Sequence, residues 1–140
     1  MIWSLSQKYL KFSAIKLSGK ILRSKLNQGF YLKPYKHLII DNAIDNSFAN
    51  LCLKNFPSLD DKKNWDKSNL KSIEVKYRSN WESEFDIPKG LLEFVRILNS
   101  SIILKSLSKK FSIPKLMPDP YFTGGGLNVT EKGGLLDVHV

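Results

Sequence analysis

The segment FTGGGLNVTEKGGLLDVHV, residues 122–140, constrains the fold more than any other part of the chain. Five glycines argue against a helix, since each costs about 1 kcal/mol relative to alanine at an interior helical position. The three consecutive glycines free the backbone and remove side-chain bulk, which suits a bulge or a close approach to a neighbouring strand. Residues 127–129 are strand-like, residues 130–134 carry turn chemistry, and residues 135–140 are strand-like again. The spacing predicts a hairpin in which 127–129 pairs with 135–140. Leu135, Asp137 and His139 then share one face, and Leu136, Val138 and Val140 share the other. A polar face bearing a histidine, backed by an apolar one, suits a pocket wall and equally an ordinary solvated strand. Glycine runs also hold phosphates, but no Walker-type Lys-Ser/Thr pair follows and no helix opens after them.

Upstream the period changes. Residues 4–27 read as a helix, with Leu10, Ala14, Leu17 and Ile21 on one stripe and Asn27-Gln28-Gly29 as its stop. A short strand is predicted over 35–41, centred on His37-Leu38-Ile39-Ile40. Asp45, Asn46 or Ser47 caps a helix carrying Phe48, Leu51, Cys52 and Phe56, which Pro57 ends. SLDDKKNWDKSN reads as a polar loop. SIEVKYRS alternates, with Ile73, Val75 and Tyr77 opposite Glu74, Lys76 and Arg78, as a half-buried strand does. Pro88 opens a helix that keeps Leu91, Leu92, Val95, Leu98, Ile102 and Ile103 in period. It breaks near Ser100-Ser101 and resumes through Leu104 to Phe111. Pro114, Pro118 and Pro120 forbid a long regular element after that. No internal repeat and no linker divides the chain.

The 140 residues are 42% hydrophobic and 11% aromatic, a globular composition large enough for one core, with no apolar run of spanning length. The lone Cys52 has no disulfide partner and reads as a small core hydrophobe; the count fits a reducing, cytoplasmic setting. The formal charge of +9 is uneven. Residues 1–40 hold eight lysines and arginines and no acid, and the remaining hundred carry a net +1. A basic helix over 1–29 is compatible with docking on its own domain, with an anionic membrane surface, or with organelle targeting. Nucleic acid fits least well, since no helix-turn-helix, zinc-finger or RNA-binding aromatic pattern is present.

YFTGGGLNVTEKGGLLDVHV resembles the start of the metal-binding core of the 2-oxoglutarate- and Fe(II)-dependent oxygenases, in the prolyl-hydroxylase-like branch. There a GGGL-type strand and a glycine turn lead into an LDxHVD stretch whose histidine and aspartate bind iron. HLIIDNAIDNSFANLCLKNFP is similar to the strand and helix that precede this core, and IPKGLLEFVRILNSSIILKSLSKKFSI to its long supporting helices. The resemblance implies an α+β fold: N-terminal helices, then the first strands of an incomplete double-stranded β-helix (a jelly roll). It covers residues 30–140 as the front part of an oxygenase-like domain and leaves 1–29 as a separate basic helical segment.

His139 matches the first iron ligand. A His-x-Asp pair on a strand puts both ligands on one side, about 6.5 to 7 Å apart along the backbone, so the second would be residue 141. Two histidines and a carboxylate leave three positions open on Fe(II), two for bidentate 2-oxoglutarate and one for O₂. Asn128 stands where relatives often carry a histidine, as a lining residue of the cofactor pocket. Asp137 and His37 are weaker candidates for the metal, and no catalytic residue beyond the ligand set is read in the chain. The implied activity is hydroxylation of a small-molecule or peptidyl substrate, with Fe(II) and 2-oxoglutarate held by a longer parent protein and not stably by these residues alone. The competing reading is a non-catalytic interaction fragment whose basic helix binds an anionic surface. In either case an open strand edge would favour self-association.

Overall fold

The computed structural model describes residues 2–70 and 74–137, with side chains from Ser13 onward except Ala14 and Leu70. The fold mixes four α-helices with two small antiparallel sheets. Its residues group into two compact units, Met1–Phe56 with Lys89–Pro118, and Pro57–Pro88 with Asp119–Val140.

The first unit is helical. Helix α1 spans Ile2–Lys25. Among its described side chains Ser18 and Leu22 are buried, as is Leu26 just past its end, while Leu17 is 46% exposed; Leu10 and Ala14 of the expected stripe lie outside the described side chains. The buried face is therefore turned by about one residue, roughly 100°, from the Leu17–Ile21 stripe that hydropathy suggested. A polar contact explains the difference: Ser18 is fully buried, and its Oγ accepts the Asp45 backbone N–H at 3.0 Å. The end of α1 is tied by Lys25, whose Nζ donates to the carbonyls of Asp41 (2.7 Å) and Asn42 (3.2 Å). Strands β1 (Phe30–Tyr31) and β2 (His37–Leu38) pair antiparallel as a short ribbon.

Helix α2 (Asn46–Lys54) starts at Asp45, which is the capping residue among the three candidates. The Asp45 carboxylate accepts the backbone N–H groups of Ser47 and Phe48 and the Ser47 hydroxyl, satisfying donors the first turn cannot. Phe48 follows, fully buried, with its ring edge-on to Phe94 at 6.4 Å. Helices α3 (Lys89–Leu98) and α4 (Ser101–Phe111) are separated at Asn99-Ser100, as the serines suggested. Ser100 holds an extended backbone (φ −65°, ψ 144°), which ends one helix and stands at the N-cap position of the next without a side-chain capping bond. Leu91 and Ile103 are buried, but Leu98 and Ile102 are exposed, so the apolar face does not run straight through the break. Leu22, Leu26 and Ile103 form the core, joined by Leu38, Ile40, Ala43, Ile97 and Leu107.

The second unit is a sheet. Strand β3 (Trp65–Leu70) pairs with β4 (Glu74–Ser79) in antiparallel register, Trp65 opposite Ser79 and Leu70 opposite Glu74. All of β3 but Leu70 falls in the stretch read as a polar loop. WDKSN lacks apolar alternation because β3 is held by backbone pairing and by Trp65, which is buried and donates its indole N–H to the Ser58 carbonyl at 2.9 Å. On the other side of β4 lie β5 (Asn128–Val129) and β6 (Leu135–Leu136). Ile73 lies outside the described residues; β4 forms where alternation predicted a strand, but Glu74 to Arg78 are all half-buried and only Ser79 is buried, so its two faces do not differ in exposure as expected.

Candidate functional site

The glycine-rich segment is laid along β4. Its approach is set by Asp119, whose carboxylate accepts the N–H groups of Tyr121 (2.9 Å) and Gly124 (3.3 Å). The Tyr121 amide bond is the main reason the Asp119 carboxyl sits below the usual carboxylate range. Phe122 then turns in with φ +54° and buries its ring edge-on to Trp81, 6.4 Å between centroids. Arg78 closes the turn: its Nη2 donates to the carbonyls of Phe122 (3.1 Å), Thr123 and Gly125 (3.4 Å). One guanidinium thus gathers three carbonyls that no strand partner satisfies.

Ser79 fixes the next step. It is buried; its N–H donates to the Leu127 carbonyl at 2.9 Å and its Oγ accepts the Leu127 N–H at 2.9 Å. Gly126 makes this possible. Its φ is +149°, and a Cβ there would stand 2.6 Å from Ser79 Oγ. The glycine is therefore required by the neighbour's hydroxyl as much as by its own backbone.

Among the described residues the expected hairpin is not formed. Val129 pairs with Tyr77 and Asn128 with Arg78, while Leu135 pairs with Val75 and Leu136 with Glu74. Both short strands therefore run in the same direction against β4, end to end, and do not pair with each other. Residues 130–134 leave the line of the strand opposite Lys76 and return to it, as a large bulge does. Within this excursion the Gly134 N–H donates to the Glu131 carbonyl at 2.8 Å. A Cβ at Gly134 would meet the Val75 carbonyl oxygen at 2.8 Å and the Glu131 carbonyl oxygen at 2.9 Å. The glycine pair thus re-docks one strand onto β4, where turn chemistry alone suggested reversal into a second strand.

The side chains follow from this register. Val129 and Leu135 lie on the side of Val75 and Tyr77; Asn128 and Leu136 lie on the side of Glu74, Lys76 and Arg78. That second side is polar. Lys76 and Glu74 pair at 2.8 Å, and the Ser68 hydroxyl donates to Glu74. Leu136 is accordingly 55% exposed, where alternation alone would have put it in an apolar wall. Asn128 is exposed and opposite Arg78. Asp137 is exposed. His139 lies outside the described residues. His37 sits in the helical unit, stacked on Tyr31 at 5.0 Å, with its Nδ1 2.8 Å from the Tyr35 carbonyl oxygen. Cys52 is half-buried against the Gly90 carbonyl (3.6 Å), and burial pushes its thiol pKa up, the opposite of what a nucleophile needs. Among the described residues no three of histidine, cysteine, aspartate and glutamate come together to hold a metal ion.

A second region escaped sequence inspection. The helical unit carries fifteen lysines and arginines against three acids, a net of +12. The sheet unit carries seven against ten, a net of −3, and the two make up the +9 of the chain. Residues 89–118 contribute six cations and one acid to the basic unit. In a linear count this excess is cancelled by the acidic sheet segments on either side of it, so only the amino-terminal forty residues looked basic. Part of the hidden charge lines a groove beside α4, bordered by Lys105, Lys109 and Lys115 with Leu104, Ile113 and Met117 between them.

No protein-family model matches this chain, and no curated protein and no solved structure matches it. Among the described residues no helix is long and apolar enough to cross a membrane.

Proposed function

We propose that the sheet unit carries the opening of the iron-binding strand of a 2-oxoglutarate- and Fe(II)-dependent oxygenase whose complete domain is a jelly roll. His139 is the first metal ligand in this reading; Asn128, on the opposite side of the strand from Leu135, is not assigned a part in it. The observation that supports it is the seating of the glycine-rich segment: residues 127–136 run as one interrupted strand along β4, heading into the DVHV stretch. A strand so anchored can present alternate side chains of its continuation to one side, as paired iron ligands require. The bound iron and 2-oxoglutarate would supply the oxidation; this chain's part would be to position a ligand. Hydroxylation then consumes O₂ and 2-oxoglutarate and yields succinate, CO₂ and the alcohol.

The test begins with the reading frame beyond codon 140. A carboxylate at position 141 is expected, with a later histidine. The protein expressed through that frame should bind Co(II) with visible d–d absorption, and H139A should abolish the band. It should also release succinate from 2-oxoglutarate under Fe(II) and O₂. A residue unable to coordinate metal at position 141 overturns the proposal, as does Co(II) absorption unchanged in H139A.

A further inference from the structure

We infer that the helical unit docks on anionic phospholipid bilayers through the loop that follows α4, with Ile113 and Met117 entering the interface and Lys105, Lys109 and Lys115 holding the headgroups. The inference does not depend on the oxygenase reading.

The shape of this loop is fixed. Ser112 and Lys115 both take positive φ (59° and 54°), which turns the chain back beside the helix. The Ile113 N–H donates to the Ser108 carbonyl at 3.0 Å, and the Leu116 N–H to the Ser108 hydroxyl at 3.3 Å. Leu116 is thereby drawn inward, while Ile113 stays 46% and Met117 77% exposed. Between loop and helix lies a groove of about 790 Å³. Lys105 and Lys109, one helical turn apart on α4, border it with Lys115 from the loop, and no acidic residue lines it.

Charge complementarity identifies the occupant. Three cations on a groove that no acid lines, on a unit of net +12, call for a polyanionic surface. The apolar side chains among them choose between polyanions. Aliphatic and thioether groups gain by entering hydrocarbon at a headgroup boundary, whereas phosphate contacts on nucleic acid use polar donors and stacking rings. Lysines around an exposed Ile-Met tip match the first.

The experiment is co-sedimentation of the 140-residue chain with vesicles of phosphatidylcholine alone or with 30% phosphatidylserine, in about 0.1 M salt. Binding is expected only to the anionic vesicles. Each cation near such a surface is worth about fivefold in affinity, so K105Q/K109Q/K115Q should lose on the order of a hundredfold. I113S/M117S changes two exposed side chains and should weaken binding by tenfold or more while leaving the far-ultraviolet circular dichroism spectrum unchanged. The inference is overturned if anionic vesicles are not bound, or if the serine variant binds them as the parent does. It is also overturned if single-stranded RNA competes equally well in both the parent and the serine variant, which would mark a nucleic-acid surface.

Discussion

Gly126→Ala is the sharpest probe of how the glycine segment is seated. The substitution meets two obstacles. A φ of +149° is one that side chains other than glycine rarely adopt, and holding it costs about 1–3 kcal/mol. The new methyl would also stand 2.6 Å from Ser79 Oγ, so the hydroxyl must swing away and leave the Leu127 N–H without its acceptor. A part-buried donor left unsatisfied adds about 1–3 kcal/mol. Alanine restricts the unfolded chain and returns about 0.4–1 kcal/mol. The net expectation is a loss of about 2–4 kcal/mol from the sheet unit. Ser79→Ala removes the obstructing oxygen, so the double variant should be more stable than the two single losses added together, by about 0.5–2 kcal/mol. Trp65 and Trp81 are both buried in this unit, so urea unfolding followed by tryptophan fluorescence in a Trp3→Phe background reports on it directly. A G126A variant within about 0.5 kcal/mol of the parent, or strictly additive losses in the double variant, would refute the seating described.

Other expectations follow from single side chains. Phe48→Ala should cost about 3–5 kcal/mol in chemical denaturation of the helical unit, because a fully buried ring that meets Phe94 is lost. Asp45→Ala should lower the melting temperature in a pH-dependent way. The folded Asp45 carboxyl is held below its ordinary range, chiefly by the Ser47 hydroxyl, so its contribution is present above the unfolded value near 3.9 and lost as pH falls through the depressed one. The gap in melting temperature between parent and variant should therefore be constant above about pH 5 and close below about pH 4. Cys52, with its thiol pKa raised by burial, should react with a disulfide reagent at pH 7.4 several-fold more slowly than in the urea-unfolded chain; an equal rate would contradict its packing.

The helices were the legible part of this fold. Proline at 88, the Asx–Ser cluster at 45–47 and the serine pair at 100–101 are local signals whose effect is exerted within one turn, and each sits at an observed helix boundary. Strand β4 was legible for the same reason, since its alternation is a property of the strand itself. What failed was anything decided by a partner. The buried face of α1 is set by Ser18 meeting Asp45, a contact 27 residues away in sequence, so hydropathy along α1 alone pointed elsewhere. Strand β3 is nearly all polar and exists because β4 offers it a ladder. Turn chemistry at 130–134 correctly marked a break but could not distinguish two strands pairing with each other from two strands pairing in succession with a third. That choice rests on Ser79 and Arg78, which hold Leu127 and the preceding carbonyls against β4, and neither carries a motif.

The same distinction governs charge. Along the sequence, cations at 89–118 are flanked by acid-rich strands and vanish into a near-neutral average. The fold removes that averaging by collecting the four α-helices of the described residues into one unit and strands β3 to β6 into the other. An electrostatic field depends on which charges share a surface, and at about 0.1 M salt it decays over roughly 10 Å, less than the span of either unit. A ligand near α4 therefore senses the lysines beside it far more strongly than the formal charge of the whole chain. The basic character first visible at residues 1–40 is one edge of a property of the whole helical unit. For this reason the loop after α4, whose side chains are placed by two bonds to Ser108, locates a surface more sharply than the amino-terminal helix does.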